Sequence, residues 1–170
     1  VTTLQWGGVM SELLSLLQER YNLSQFPYQV ECLDISHLWG DWTSWGLSAI
    51  SWGLPDKNHY RKYKITSSTN DDYLSLKEVL LRRFRIGEEY WELSNDEDEK
   101  NSKVLYVPNV FILDWWRGQL SIIPELLTEF PEFERIMKTV QFCALGKGEA
   151  RHKANIGKYN KKKDDTVGEK

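Results

Sequence analysis

Long apolar runs are absent from this chain of 170 residues. No stretch approaches the roughly 20 residues that a membrane helix needs, so the sequence reads as a soluble protein. Cysteine is scarce: only Cys32 and Cys143 occur, far apart and without a CxxC pair. That pattern excludes a disulfide scaffold and a thiolate zinc site, and fits a reducing cytoplasm. The first five residues, Val1-Thr2-Thr3-Leu4-Gln5, carry no basic stretch followed by an apolar one, so no signal peptide is read there. An initiating Met is also lacking, which points to a fragment. No glycine-rich phosphate loop appears, which removes P-loop and dinucleotide-binding readings. Ser36 has no base-and-orienter pair to activate it, so covalent nucleophilic catalysis is not expected.

What is present is a foldable core and uneven charge. The hydrophobic fraction of 41% suits one packed domain at this length. Net charge is −3, yet residues 88–99 alone hold seven carboxylates, and residues 60–85 and 147–170 are locally basic. Basic zones in a mildly acidic chain suit a polyanionic partner and equally suit solvated faces.

Periodicity gives the element order. Leu13, Leu14 and Leu17 predict a helix over 10–21. Residues 28–34 and 43–51 read as strands, with turns at 39–41 and at Gly53-Leu54-Pro55-Asp56. Residues 60–65 alternate apolar with basic, as a half-buried third strand does. Asn70-Asp71 caps a helix running to about Arg85, with Tyr73, Leu76, Leu80 and Phe84 as its buried stripe. A strand over 107–114, helices after Leu120 and after Pro131, and a strand over 139–145 follow. The expected division is a helix and linker over 1–24, a domain over 25–146, and a basic tail over 147–170 without regular structure. Three antiparallel strands followed by helix-strand-helix-strand is the order of an α/β ribonuclease-H-like mixed sheet, among other α/β arrangements.

Two of the strands end in a carboxylate, at Asp34 and at Asp114. Neighbouring carboxylates repel, and a hard divalent cation bound through oxygen relieves that repulsion. Asp also commonly ends a strand as a turn or cap residue, so spacing alone leaves both readings open.

A resemblance adds to this. Glu31-Cys32-Leu33-Asp34-Ile35-Ser36-His37 resembles the E-x-x-D-I-S-H signature of the UvrC family, the nuclease component of the bacterial excinuclease ABC. Further blocks follow in order: Pro55-Asp56-Lys57 with Tyr60-Arg61, then Asp71-Asp72-Tyr73 with Glu78-Val79-Leu80 and Arg82-Arg83. Asp114 through Gln119-Leu120 is similar to the family's D-G-G-K-G-Q-L turn, and Ala144 through Gly148 to its A-K-G strand end. The resemblance runs over about residues 11–150. It implies a ribonuclease-H-like endonuclease that cuts damaged DNA in nucleotide excision repair, with Mg²⁺ or Mn²⁺ held by Asp34 and Asp114. The implied partners are damaged duplex DNA and the helicase subunit of the excinuclease, the latter through regions outside this chain. The family's remaining catalytic His and Asp fall beyond the A-K-G segment, so a fragment with little activity of its own is expected. His152 comes too early to be that His.

Lys57, Arg61, Arg82, Arg83 and Arg117 are candidate phosphate contacts, which fix register on DNA without reading sequence. For Arg82 and Arg83, charge stabilisation of a helix end is the rival role. His37 either supports the metal site or hydrogen-bonds within its turn, and His59 reads as solvated. The rival functions are a non-catalytic nucleic-acid-binding module on the same fold and an interaction domain using its tryptophans. Those eight tryptophans form a pattern of their own. Trp115-Trp116 stand where the resembled family has Gly-Gly, and Trp6, Trp39, Trp45 and Trp52 each precede a glycine. Translating glycine-coding UGA codons as tryptophan produces that pattern.

Overall fold

The computed structural model describes residues 3–37, 43–65, 71–87, 107–114, 119–147 and 154–158. The turn expected at 39–41, the acidic run at 88–99, Trp115, Trp116, Arg117 and His152 lie outside the described residues.

In chain order the elements are α1 (Thr3–Arg20), β1 (Gln29–His37), β2 (Thr43–Ser51), β3 (Leu54–Pro55) and β4 (Arg61–Lys64). They continue with α2 (Asp72–Phe84), β5 (Val110–Asp114), α3 (Ile122–Glu129), α4 (Phe133–Met137), β6 (Gln141–Lys147) and β7 (Ala154–Lys158). The strands form one mixed sheet of seven, ordered β3-β2-β1-β5-β6-β7, with β4 also paired to β2. β1, β2 and β4 are antiparallel neighbours, whereas β5 runs parallel to β1 and β6 parallel to β5. This is the architecture the element order predicts. Among the described residues no helix is long and apolar enough to cross a membrane.

Period-two alternation divides each strand between two faces. On one face Leu33, Trp45, Leu47, Tyr63, Phe111, Leu113 and Phe142 meet α2, α3 and α4 in a single buried cluster. Phe84 of α2 lies 5.3 Å from Phe111 and 5.8 Å from Phe142, ring centre to ring centre, so aromatic contacts join helix to sheet. Leu76, Leu80 and Phe84 of the expected stripe are buried. The predicted cap of α2 is also present: the Asp71 carboxylate accepts hydrogen bonds from the backbone N–H groups of Tyr73 and Leu74 at 2.9 and 3.4 Å.

β1 runs on to His37, three residues past Asp34, where the strand was expected to end, because Ile35, Ser36 and His37 still pair with β2. Three other features depart from the sequence reading. First, α1 begins seven residues earlier than residue 10, running through Gly7-Gly8. Glycine lowers helix propensity by about 1 kcal/mol per residue without forbidding the helix. Second, the turn falls at Trp52-Gly53, because Ser51 pairs with Leu54 and Ile50 with Pro55. Both central residues have positive φ, 52° and 78°, the mark of a two-residue type I′ hairpin, which favours Asn or Gly at the place Trp52 fills. Third, the segment expected to lack regular structure supplies β7, antiparallel to β6.

Candidate active site

Asp34 and Asp114 are partners in the parallel register of β1 and β5. Adjacent strands lie about 4.8 Å apart and in-register residues point to one face, so the two carboxylates stand side by side. Leu33 and Leu113, one residue earlier on each strand, are buried on the core face. Anchoring those two leucines leaves the aspartates on the other face, where Asp34 is exposed and Asp114 partly so. A one-residue slip of either strand would drive an aspartate into the core.

Cys32 reports the electrostatics of that face. It lies two residues before Asp34, on the same face, and its thiol is pushed up to about 11. Burial is the leading cause, followed by the negative charges of Asp114 and then Asp34. The negative potential of the pair thus reaches the next pleat of β1.

The other expected site residues scatter. Arg82 and Arg83 lie inside the domain, not on its surface. The Arg83 guanidinium donates from Nε and Nη2 to both oxygens of Glu31, at 2.8 and 2.5 Å, clamping α2 to β1. Arg82 donates to the Lys64 carbonyl at 2.7 Å, pairs with Glu78 at 3.5 Å and lies over the Tyr63 ring. Buried and committed to these partners, neither arginine is presented to a phosphate, which corrects the expectation placed on them. Arg61 pairs with Leu47 and therefore projects from the core-side face of the sheet, away from the aspartates. Lys57 is exposed in the short 3-10 turn Lys57–His59. His59 is not simply solvated: its Nδ1 lies 2.7 Å from Asp56 Oδ2. His37 is the last residue of β1.

Sequence reasoning missed Lys62. In the register Asp34 pairs with Gly46, and Gly46 pairs with Lys62, so all three share a row and a face with Asp114. The signal was available in principle, since Lys62 and Lys64 have the parity opposite to buried Tyr63. Which parity meets the aspartates depended on the pairing of three strands.

The carboxylate pair suits a hard cation in donor type and exposure. Among the described residues no group of three or more His, Cys, Asp or Glu is gathered to hold a metal, so the pair of carboxylates is what these residues bring together.

Comparison with known proteins agrees with the fold. The family model described as the UvrC RNAse H endonuclease domain matches residues 18–168. A relative from Acaryochloris marina, UvrABC system protein C, is 34% identical over 136 residues, covering 77% of this chain and 20% of the relative. The protein of that name from Thermotoga maritima is 41% identical over 126 residues, 74% of this chain and 19% of the relative. That from Shewanella sediminis is 31% identical over 151 residues, 88% of this chain and 22% of the relative. The chain thus spans about a fifth of the length of these relatives. With a family model matched across most of its length and an architecture that agrees, the chain belongs to the UvrC RNase H endonuclease domain family.

Proposed function

We propose that this chain is the part of an excinuclease nuclease subunit that cleaves a phosphodiester of damaged DNA by metal-dependent hydrolysis during nucleotide excision repair. The observation that carries the reading is the in-register pair Asp34–Asp114 on the face of the sheet opposite the core cluster. The two side chains would hold Mg²⁺ or Mn²⁺ through oxygen. Such an ion, when bound, supplies charge neutralisation at the phosphate and a water of lowered pKa. The chain's own contribution is placement. The parallel pairing fixes the spacing of the carboxylates, buried Leu33 and Leu113 fix the side to which they point, and the Glu31–Arg83 clamp holds β1 against α2. Damaged duplex DNA is the substrate of this reading, and the helicase subunit is the partner that delivers it, through parts of the longer protein.

The test uses Fe²⁺ in place of Mg²⁺. With ascorbate and peroxide, bound Fe²⁺ generates hydroxyl radicals that cut the polypeptide close to the ion. Scission next to residues 34 and 114, suppressed by excess Mn²⁺ and abolished in Asp114→Asn, is the expected result. Scission elsewhere, or its persistence in Asp114→Asn, would overturn the assignment. DNA binding that ignores both metal and Asp114→Asn would favour the non-catalytic nucleic-acid-binding module.

A further inference from the structure

The row Asp114–Asp34–Gly46–Lys62 crosses four strands of the sheet on one face. Its two ends carry opposite charge, and Gly46, between Asp34 and Lys62, has no side chain. Among the described residues, a Cβ built at Gly46 would meet the Asp34 carbonyl oxygen at 3.9 Å, an ordinary van der Waals contact without a clash. Lys62 is exposed, and two interstrand steps of ~4.8 Å place its Cα about 10 Å from that of Asp34. A cation set across a glycine from an acid pair suits a polyanion that spans the two.

We infer that Lys62 forms a phosphate subsite of the proposed nuclease. It would hold a phosphodiester next to the one at the aspartates, with Gly46 as the floor over which the nucleic-acid backbone passes. The inference rests on the function proposed above and deepens it, since it assigns a substrate contact to Lys62, the residue that follows Tyr60-Arg61. Its physical basis is strand parity. Lys62 faces the aspartates because both flanking pairings are in register, whereas Arg61, one residue earlier, faces the other way. Gly46 adds a second argument. Glycine inside a strand weakens it, and such a position is found where another backbone approaches closely.

The experiment measures binding of a fluorescein-labelled DNA duplex to the 170-residue chain by anisotropy, across a salt series in Mg²⁺. Each phosphate contact contributes about 0.9 to the slope of log affinity against log salt. Lys62→Gln is expected to lower that slope by about one and to weaken binding several-fold at ~0.1 M salt. Arg61→Gln should leave the slope unchanged. Gly46→Val supplies the readout that a purely structural role would not move. It adds a good strand former whose Cβ makes an ordinary contact with the Asp34 carbonyl oxygen, so the thermal midpoint should hold or rise while DNA affinity falls. An unchanged slope in Lys62→Gln beside a wild type that binds, or equal losses in Lys62→Gln and Arg61→Gln, overturns the subsite and leaves the nuclease reading standing. A wild type that binds no DNA at low salt overturns both.

Discussion

Replacing one aspartate of the pair should make the chain more stable, and the size of the gain follows from the register. Asp34 and Asp114 occupy partnered positions on adjacent strands, so their charges lie roughly 5–6 Å apart. Two unit charges at that distance repel by about 0.8 kcal/mol at the dielectric constant of water, and by about 3 kcal/mol at an effective value of 20. Asp34 is exposed and Asp114 half-buried, which places the repulsion near the lower figure, about 1 kcal/mol. Asp34→Asn keeps the shape and removes one charge. In low salt without divalent cations it should raise unfolding free energy by about 1 kcal/mol, and the thermal midpoint by about 2–4 °C for a domain of this size. Asp114→Asn should do the same, and the double variant should gain little beyond either single one, since the repulsion is lost only once. Added Mn²⁺ should stabilise the wild type and not the variants, because a ligand stabilises only the state that binds it. The assay is thermal unfolding followed by circular dichroism, with and without Mn²⁺, at two salt concentrations. A midpoint lowered in Asp34→Asn would show that contacts of the carboxylate outweigh its repulsion by Asp114, and would refute the reasoning. Equal Mn²⁺ stabilisation of wild type and Asp114→Asn would refute the shared site.

Three further predictions use other parts of the structure. Arg83→Met should cost about 3–5 kcal/mol by leaving Glu31 buried without its partner, and adding Glu31→Leu should recover most of that in urea unfolding. The Cys32 thiol, held near 11, should react slowly with iodoacetamide at pH 8.5, and Asp114→Asn should accelerate it more than Asp34→Asn. Because that value is raised, the stability it contributes is complete below the ordinary thiol value of 9.0 and is lost as pH climbs through about 11, which an alkaline unfolding series will show. Trp52→Gly should change stability by no more than about 1 kcal/mol, since relief of a left-handed backbone offsets lost ring contacts. Trp45→Gly, which empties a wholly buried site, should cost about 4 kcal/mol or more. If tryptophan at 52, 115 and 116 arises from glycine-coding UGA, those codons will be UGA in the gene; UGG there refutes it.

Local patterning was enough to read the helix of Leu76, Leu80 and Phe84 with its Asp71 cap, the antiparallel pair of β1 and β2, and Asp114 as the end of its strand, whereas Asp34, expected to end a strand, lies three residues before the end of β1. These signals lie within one helical turn or one pleat, and the sequence states them directly. Three other properties depended on pairing between distant segments. Arg82 and Arg83 read as a basic helix end until α2 packs on β1 and encloses them, Arg83 against Glu31 and Arg82 against Glu78 and the Lys64 carbonyl. Arg61 reads as well as Lys62 until the register with β2 gives Lys62 the face of the aspartates. The tail showed no apolar periodicity, yet Ala154–Lys158 forms a strand because β6 offers an edge with backbone groups to pair. By itself the sequence determined which residues carry charge and which segments bury their apolar stripe. Tertiary structure decided which charges share a face, because facing is set by the parity of strand register, and register is fixed only when the strands meet.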